Sequence, residues 1–286
     1  CQLDKISTLL YNYIEFIEVM YNKYWGFSEN PFDNTVDPNM FYSSPMHEEA
    51  LMRLLYVIQE KKGAGMLTGD YGTGKSIIAR ILASQLNSSR YQFVFLTNPQ
   101  LPPIEFIREI VRQVGVVDRL PDIKSDLLNI ISEVLRRNKE IGREIVIIVD
   151  DAQLIKEPEA LEELRLLLSI NNETSQPMTL LFLGQTELRE KINRIPQLKQ
   201  RLAMRFHLNA LDGQNTGEYI LHRMKVSGRT EPLFTDLAIE SIYEASRGVP
   251  REINNICNWA LLAGFSGKAD TVNQELVKKV ISELEG

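Results

Sequence analysis

The sequence predicts a three-layer α/β domain on a parallel sheet, followed by a small all-helical domain, and three observations predict it. Five short apolar runs, AGMLT, YQFVFLT, EIVIIVD, MTLLFLG and the shorter MRFHL, are continuous rather than alternating, as parallel strands covered on both faces are. Helix-periodic stretches lie between them. Beyond Leu211 the strand-like runs stop and only helical spacing continues. The 286 residues exceed a usual single core and are few for three, which fits one large domain and one smaller.

Each element follows from local chemistry. Residues 1–19 read as a mildly amphipathic helix, and MYNKYWGFSENPFDNTVDPNMFY after it as an aromatic loop rich in Pro, Asn and Asp, with ordered structure beginning near Met20. Ser44 as N-cap and Pro45 at the first helical position open a helix whose apolar face, Ala50, Leu51, Leu54, Leu55 and Ile58, runs up to Gly63. The α/β layers then occupy residues 64–208. Leu237, Ala238, Ile242 and Ala245 keep helical spacing, as do Ile253, Ile256, Ala260 and Leu261, then Leu276, Val277, Val280 and Ile281. The expected domains are a segment 1–43, an α/β domain 44–210 and a helical lid 211–286.

Composition narrows the class. Apolar residues at 44% and charged residues at 24% are ordinary globular values, and no run of about eighteen apolar residues is present to cross a bilayer. A net charge of −6 and a pI near 5.3 exclude a whole-surface polyanion binder but leave room for a local basic patch. Two cysteines, Cys1 and Cys257, make no disulfide framework, and Cys257 lies in an apolar helical pattern, so a reducing cytoplasm is expected. The chain starts at Cys1 rather than Met, which reads as a processed or truncated start. The histidines, His47, His207 and His222, have no metal-ligand spacing and are expected to be structural.

The chemistry begins at GDYGTGKSI, Gly69, Asp70, Tyr71, Gly72, Thr73, Gly74, Lys75, Ser76 and Ile77, between a strand and a helix. Backbone N–H groups of such a loop wrap a polyphosphate without side-chain obstruction, Lys75 adds charge at the β and γ phosphates, and Ser76 offers a hydroxyl to Mg²⁺. In IVIIVDDAQLI two carboxylates stand where a buried strand ends: Asp150 for the metal's water shell, Asp151 to polarise an attacking water. No N-K-x-D guanine signature follows, which favours ATP. Gln185, ending TLLFLGQ, is placed to reach the γ phosphate. Asn98, ending YQFVFLTN, is expected to hydrogen-bond Asp151. Arg251, in SRGVPREI, stands in the first turn of a lid helix, and Arg201 and Arg205 in QLKQRLAMRFHL are candidates for a finger donated to a neighbouring subunit. Residues 187–205 also hold six basic side chains, Arg189, Lys191, Arg194, Lys199, Arg201 and Arg205, which suit an inter-subunit face or a nucleic-acid contact.

In this order the segments look like the AAA+ family. More narrowly, WGFSENPFDNTVDPNMFYSSPMHEEAL, LLFLGQTELRE and PREINNICNWALLAG resemble the ExeA-type ATPases of the bacterial general secretion pathway, over roughly residues 20–284. The resemblance implies a sensor role for Gln185, a second-sensor role for Arg251, and a nucleotide-contacting segment around Pro31, Phe32, Phe41, Tyr42 and His47. Two departures stand out. The usual Asp-Glu is Asp150-Asp151 here, one methylene shorter at the base, and the chain ends at Gly286 without the transmembrane or peptidoglycan-binding extension of the secretion ATPases, so a cell-wall role is not expected to carry over. The expected function is Mg²⁺-dependent ATP hydrolysis by a ring or filament of copies that moves or assembles an unidentified protein partner. The alternatives are a DNA-associated ATP switch of the transposition-regulator type and an ATP-binding adaptor with negligible hydrolysis.

Overall fold

The computed structural model describes residues 20–115, 120–174 and 178–285, the side chains of 170–174 excepted; the helix expected over residues 1–19 lies outside them. The chain divides into two units, Pro45–Asn209 and a second made of the residues up to Ser44 together with Ala210–Gly286.

In the first unit, strands β1 (Ala64–Gly69), β2 (Tyr91–Leu96), β3 (Glu144–Val149), β4 (Met178–Gly184) and β5 (Leu202–Leu208) form one sheet in the order β2-β3-β4-β1-β5. Every pairing is parallel. The three inner strands are buried along their whole length, which is why their sequences do not alternate. Their successive side chains still point to opposite faces. Ile145, Ile147 and Val149 of β3, with Leu180 and Phe182 of β4, face a core filled from helices α3 (Pro103–Val114), α4 (Lys124–Glu140) and α5 (Pro158–Thr174) by Ile107, Ile110, Leu127, Ile131 and Leu164. On the other side, α1 (Pro45–Gln59) and α2 (Lys75–Gln85) bring Val57, Ile58, Ile78 and Leu82 to the sheet. Two short helices, α6 (Glu187–Asn193) and α7 (Pro196–Arg201), connect β4 to β5.

The second unit holds α8 (Gly213–Val226), α9 (Asp236–Ser246), α10 (Pro250–Ser266) and α11 (Gln274–Leu284). Asp212, Thr235 and Asn273 cap α8, α9 and α11 by accepting from the backbone N–H three residues on. The stripe read on α9 is half right: Ala238 and Ile242 are buried, whereas Leu237 and Ala245 are exposed and Ser241 and Ser246 turn inward. Residues 20–44 are part of this unit's core. Trp25, Phe27 and Phe32 pack with Tyr219, Ile220, Phe234, Ile253, Leu261 and Val277. The Trp25 indole donates to the Leu261 carbonyl at 3.1 Å. Its ring lies where Gly264 leaves space, since a Cβ there would stand 3.0 Å from Trp25 Cζ2. Buried Arg223 donates to the carbonyls of Pro31 at 2.5 Å and Asp33 at 2.7 Å, satisfying polar groups of a segment with no regular hydrogen-bonding partner of its own. Among the described residues no helix is long and apolar enough to cross a membrane.

Candidate nucleotide-binding site

Because β4 lies between β1 and β3, the carboxyl ends of these three strands are neighbours, and side chains that follow them meet at one edge of the sheet. Thr68 of β1 is level with Gly184 of β4, and Val149 of β3 with Phe182. The loop leaving β1 needs its glycines. A Cβ at Gly69 would lie 2.6 Å from the Leu208 carbonyl oxygen, and Gly74, at φ +102°, would set one 2.9 Å from His47 Nε2. From α1, His47 Nε2–H donates to the Thr73 carbonyl at 3.0 Å, so this histidine holds the loop's backbone; burial pushes its pKa down. Thr73 ties the loop internally by donating to the Asp70 carbonyl at 2.8 Å. Asp70 and Tyr71 are exposed at its tip and Ile77 is half-buried in the first turn of α2. No side chain caps that helix N-terminus, which leaves its N–H groups for an anion.

Lys75 Nζ donates to the carbonyls of Gly69 at 2.8 Å and Asp70 at 2.7 Å. Burial pushes its pKa down, opposed by the charges of Asp151, Asp150 and Asp70. Ser76 Oγ donates to Asp150 Oδ2 at 2.6 Å, and the other Asp150 oxygen accepts from the Asp151 N–H at 3.0 Å. Burial raises the Asp150 pKa against these two bonds. A hydroxyl and a carboxylate in contact are the hard oxygen donors that suit Mg²⁺ beside phosphate oxygens, so the residues fit the metal.

Asp151 sits in the left-handed region, at φ 48°. Its Oδ1 accepts from Gln153 Nε2 at 3.1 Å, and Gln153 Oε1 accepts from the Gln185 N–H at 3.0 Å. The expected bond from Asn98 is not made: Asn98 is exposed, and its side-chain oxygen accepts from the Gln100 N–H at 3.3 Å in a local Asx turn. Lys191 of α6 turns inward and donates to the carbonyls of Gln153 and Ile155. Arg201 also points in, donating to the Leu168 carbonyl at 3.3 Å, while exposed Arg205 bonds the Lys199 carbonyl at 2.8 Å. The six basic side chains of 187–205 therefore do not share one face, since Lys191 and Arg201 are bonded to carbonyls of their own unit. Gln153 and the inward Lys191 escaped sequence reasoning; the one available signal was an amide two residues after the second aspartate.

In the helical unit, Arg251 is half-buried in the first turn of α10, behind a turn in which Arg247 and Gly248 are both left-handed. A Cβ on Gly248 would be 1.8 Å from the Leu211 carbonyl oxygen, so only glycine lets these backbones approach. The reading of Phe32 as a nucleotide contact is corrected. Its ring is 1% exposed and meets Phe234 edge-on at 5.9 Å, because a large ring beside the bundle's apolar core gains most by joining it. Phe41 follows a 3₁₀ turn (Pro38–Met40) and its backbone is bonded to His222, and the Tyr42 hydroxyl lies 2.7 Å from Glu218 Oε2.

This sheet order, loop and acid pair define a P-loop nucleotide-binding protein of the AAA class, and residues 58–192 match the family model described as "AAA domain". The chain carries an AAA domain and is a homologue of general secretion pathway protein A of Aeromonas hydrophila, 34% identical over 250 residues. That match covers 86% of this chain and 45% of the relative, so the chain spans less than half the relative's length. Solved structures with the same fold include Cdc6p of Pyrobaculum aerophilum (TM-score 0.72, 18% identity, 88% of this chain and 70% of that one). The RuvB Holliday junction branch migration motor of Thermotoga maritima is another (TM-score 0.58, 19% identity, 85% and 70%).

Proposed function

We propose that this chain binds ATP with Mg²⁺ and hydrolyses it, and that copies assembled in a ring or filament use the turnover to move or assemble a partner complex. The observation that carries the reading is the convergence of Lys75, the Ser76–Asp150 pair and Asp151 at adjoining strand ends. The loop N–H groups and Lys75 bind the phosphates, exchanging the carbonyls of Gly69 and Asp70 for phosphate oxygens. Ser76 and Asp150 would hold Mg²⁺, which would supply positive charge beside the β and γ phosphates. Asp151 orients the attacking water and takes its proton, and Gln185 engages the γ phosphate. Arg251 serves as second sensor within its own subunit and Arg201, with Arg205 as runner-up, as the finger given to the next. The similarity to a general secretion pathway protein favours a protein partner of secretion type over DNA, and a cytoplasmic site of action, where ATP is supplied.

Lys75→Ala is expected to lose most binding of labelled ATP while remaining folded, and Asp151→Asn to bind Mg·ATP but fail in single-turnover hydrolysis. Unchanged ATP binding by Lys75→Ala overturns the site. Hydrolysis at the parent rate by Asp151→Asn removes Asp151 as the base. A parent protein that binds ATP and never turns it over is the adaptor.

A further inference from the structure

Gln153 is buried, yet its side chain is polar and every atom of its amide is used. Oε1 accepts from the Gln185 N–H, which requires Nε2 to face Asp151, so the orientation of the amide is fixed by its partners rather than chosen. The main chain of the same residue is held as well, its carbonyl accepting from the Lys191 ammonium that also reaches Ile155. Burial and the nearby Arg194 lower the pKa of that ammonium, as expected for a charge spent on carbonyls rather than on a carboxylate. The sheet has a space for this amide. Gly184, the last residue of β4, has no positive φ, but a Cβ there would stand 2.6 Å from Gln153 Oε1, 2.9 Å from Leu188 Cδ2 and 3.2 Å from Gln153 N.

From this geometry we infer that Gln153 is the positioning residue for water attack: its carboxamide bridges the carboxylate of Asp151 and the backbone of the Gln185 segment, so that the base and the γ-phosphate sensor move as one. The inference rests on the hydrolytic reading above. It explains how a base one methylene shorter than glutamate is still aimed. Left-handed Asp151 has few rotamers that reach both a water and an anchor, and Gln153 Nε2 selects one by bonding Oδ1, leaving Oδ2 for the water. It also gives a route by which engagement of the γ phosphate at Gln185 reaches Asp151, with no side chain from β2 involved.

The test uses the full chain, Mg·ATP, and steady-state kinetics with nucleotide binding measured separately. Gln153→Met keeps the volume and removes both hydrogen bonds. It is expected to lower kcat by roughly 10- to 100-fold, the worth of one bond to a charged group, with the Kd for ATP within about twofold of the parent. Gln153→Glu keeps an acceptor for the Gln185 N–H but puts a like charge on Asp151, and is expected to be at least as slow. Gly184→Ala, whose methyl would displace the amide, should lower kcat in the same direction. Parent kcat in Gln153→Met overturns the inference while leaving the ATPase reading intact. If Asp151→Asn is as active as the parent, Asp151 is not the base and the inference falls with it, whereas a parent that binds Mg·ATP and never turns it over ends the hydrolytic reading instead.

Discussion

Two stretches are assigned to the nucleotide when the sequence is read, and the structure uses them in opposite ways. At the ends of β1, β3 and β4, polar side chains point at one another and at loop carbonyls: Lys75 at Gly69 and Asp70, Ser76 at Asp150, Gln153 at Asp151. In residues 20–44 the rings of Trp25, Phe27 and Phe32 fill a bundle core, and Arg223 and Arg229 gather carbonyls of the segment. Hydrogen bonds from a buried ammonium to backbone oxygens are exchangeable for phosphate oxygens at little cost, because a bond is traded for a bond. A buried ring has no such exchange, since withdrawing it leaves a cavity. Convergence of polar groups at a strand edge is thus the better sign of a site than an aromatic-rich segment.

The largest expected effect tests whether the polar edge is complete. On the function proposed above it supplies the groups for binding and water activation, but its buried cation, Lys75, is already engaged with the phosphates before the reaction begins, so charge growing on the γ phosphate calls for an outside arginine. Arg201→Ala should bind ATP normally and turn over roughly 10³- to 10⁵-fold more slowly. Turnover per subunit in the parent should rise with protein concentration, and mixing Arg201→Ala with Lys75→Ala should restore part of it. Concentration-independent turnover with no rescue would show that the edge is sufficient alone.

Phe32→Ala addresses the other side of the comparison. It should destabilise the protein by about 3–5 kcal/mol in denaturant unfolding, as loss of a fully buried Phe does, and leave ATP affinity nearly unchanged under conditions where the variant is folded. Weaker ATP binding with unaltered stability would return the ring to the nucleotide and erase the contrast drawn above.

The smallest effect belongs to His47, which holds the loop as a neutral imidazole. Its folded pKa lies below the ordinary value, so as pH falls below about 6.5 the unfolded chain takes up a proton that the folded one refuses, and stability drops. Compared with His47→Gln, the parent should lose stability between pH 7.5 and 5.5, by at most about 1.4 kcal/mol per pH unit. Parallel stability curves for the two proteins would mean that His47 does not titrate with folding.

The three inner strands were legible because burial on both faces leaves a continuous apolar run, whereas β2 and β5 at the edges are only partly buried, and the loop and acid pair were legible because their spacing along the chain is itself the geometry. Helix α8 was not singled out, since two of its buried residues, Thr216 and Arg223, are polar and break the apolar period; Arg223 is inside because Pro31 and Asp33 need a donor there. Gln153 was hidden for a different reason. Its role depends on a left-handed residue at 151 and on the missing Cβ at 184, neither of which is visible as a local pattern. Asn98 was assigned to Asp151 from its place after a strand, and its own Asx turn took it first.

The two units also differ in when they can form. Pro45–Asn209 is one uninterrupted stretch, so its sheet closes from the nascent chain as soon as β5 has been made. The helical unit is stitched from both flanks of that stretch; Trp25 and the Leu261 carbonyl that it bonds are 236 positions apart. Its aromatic segment is therefore translated early, and Trp25, Phe27 and Phe32 gain their full set of partners only once the last helices have been made.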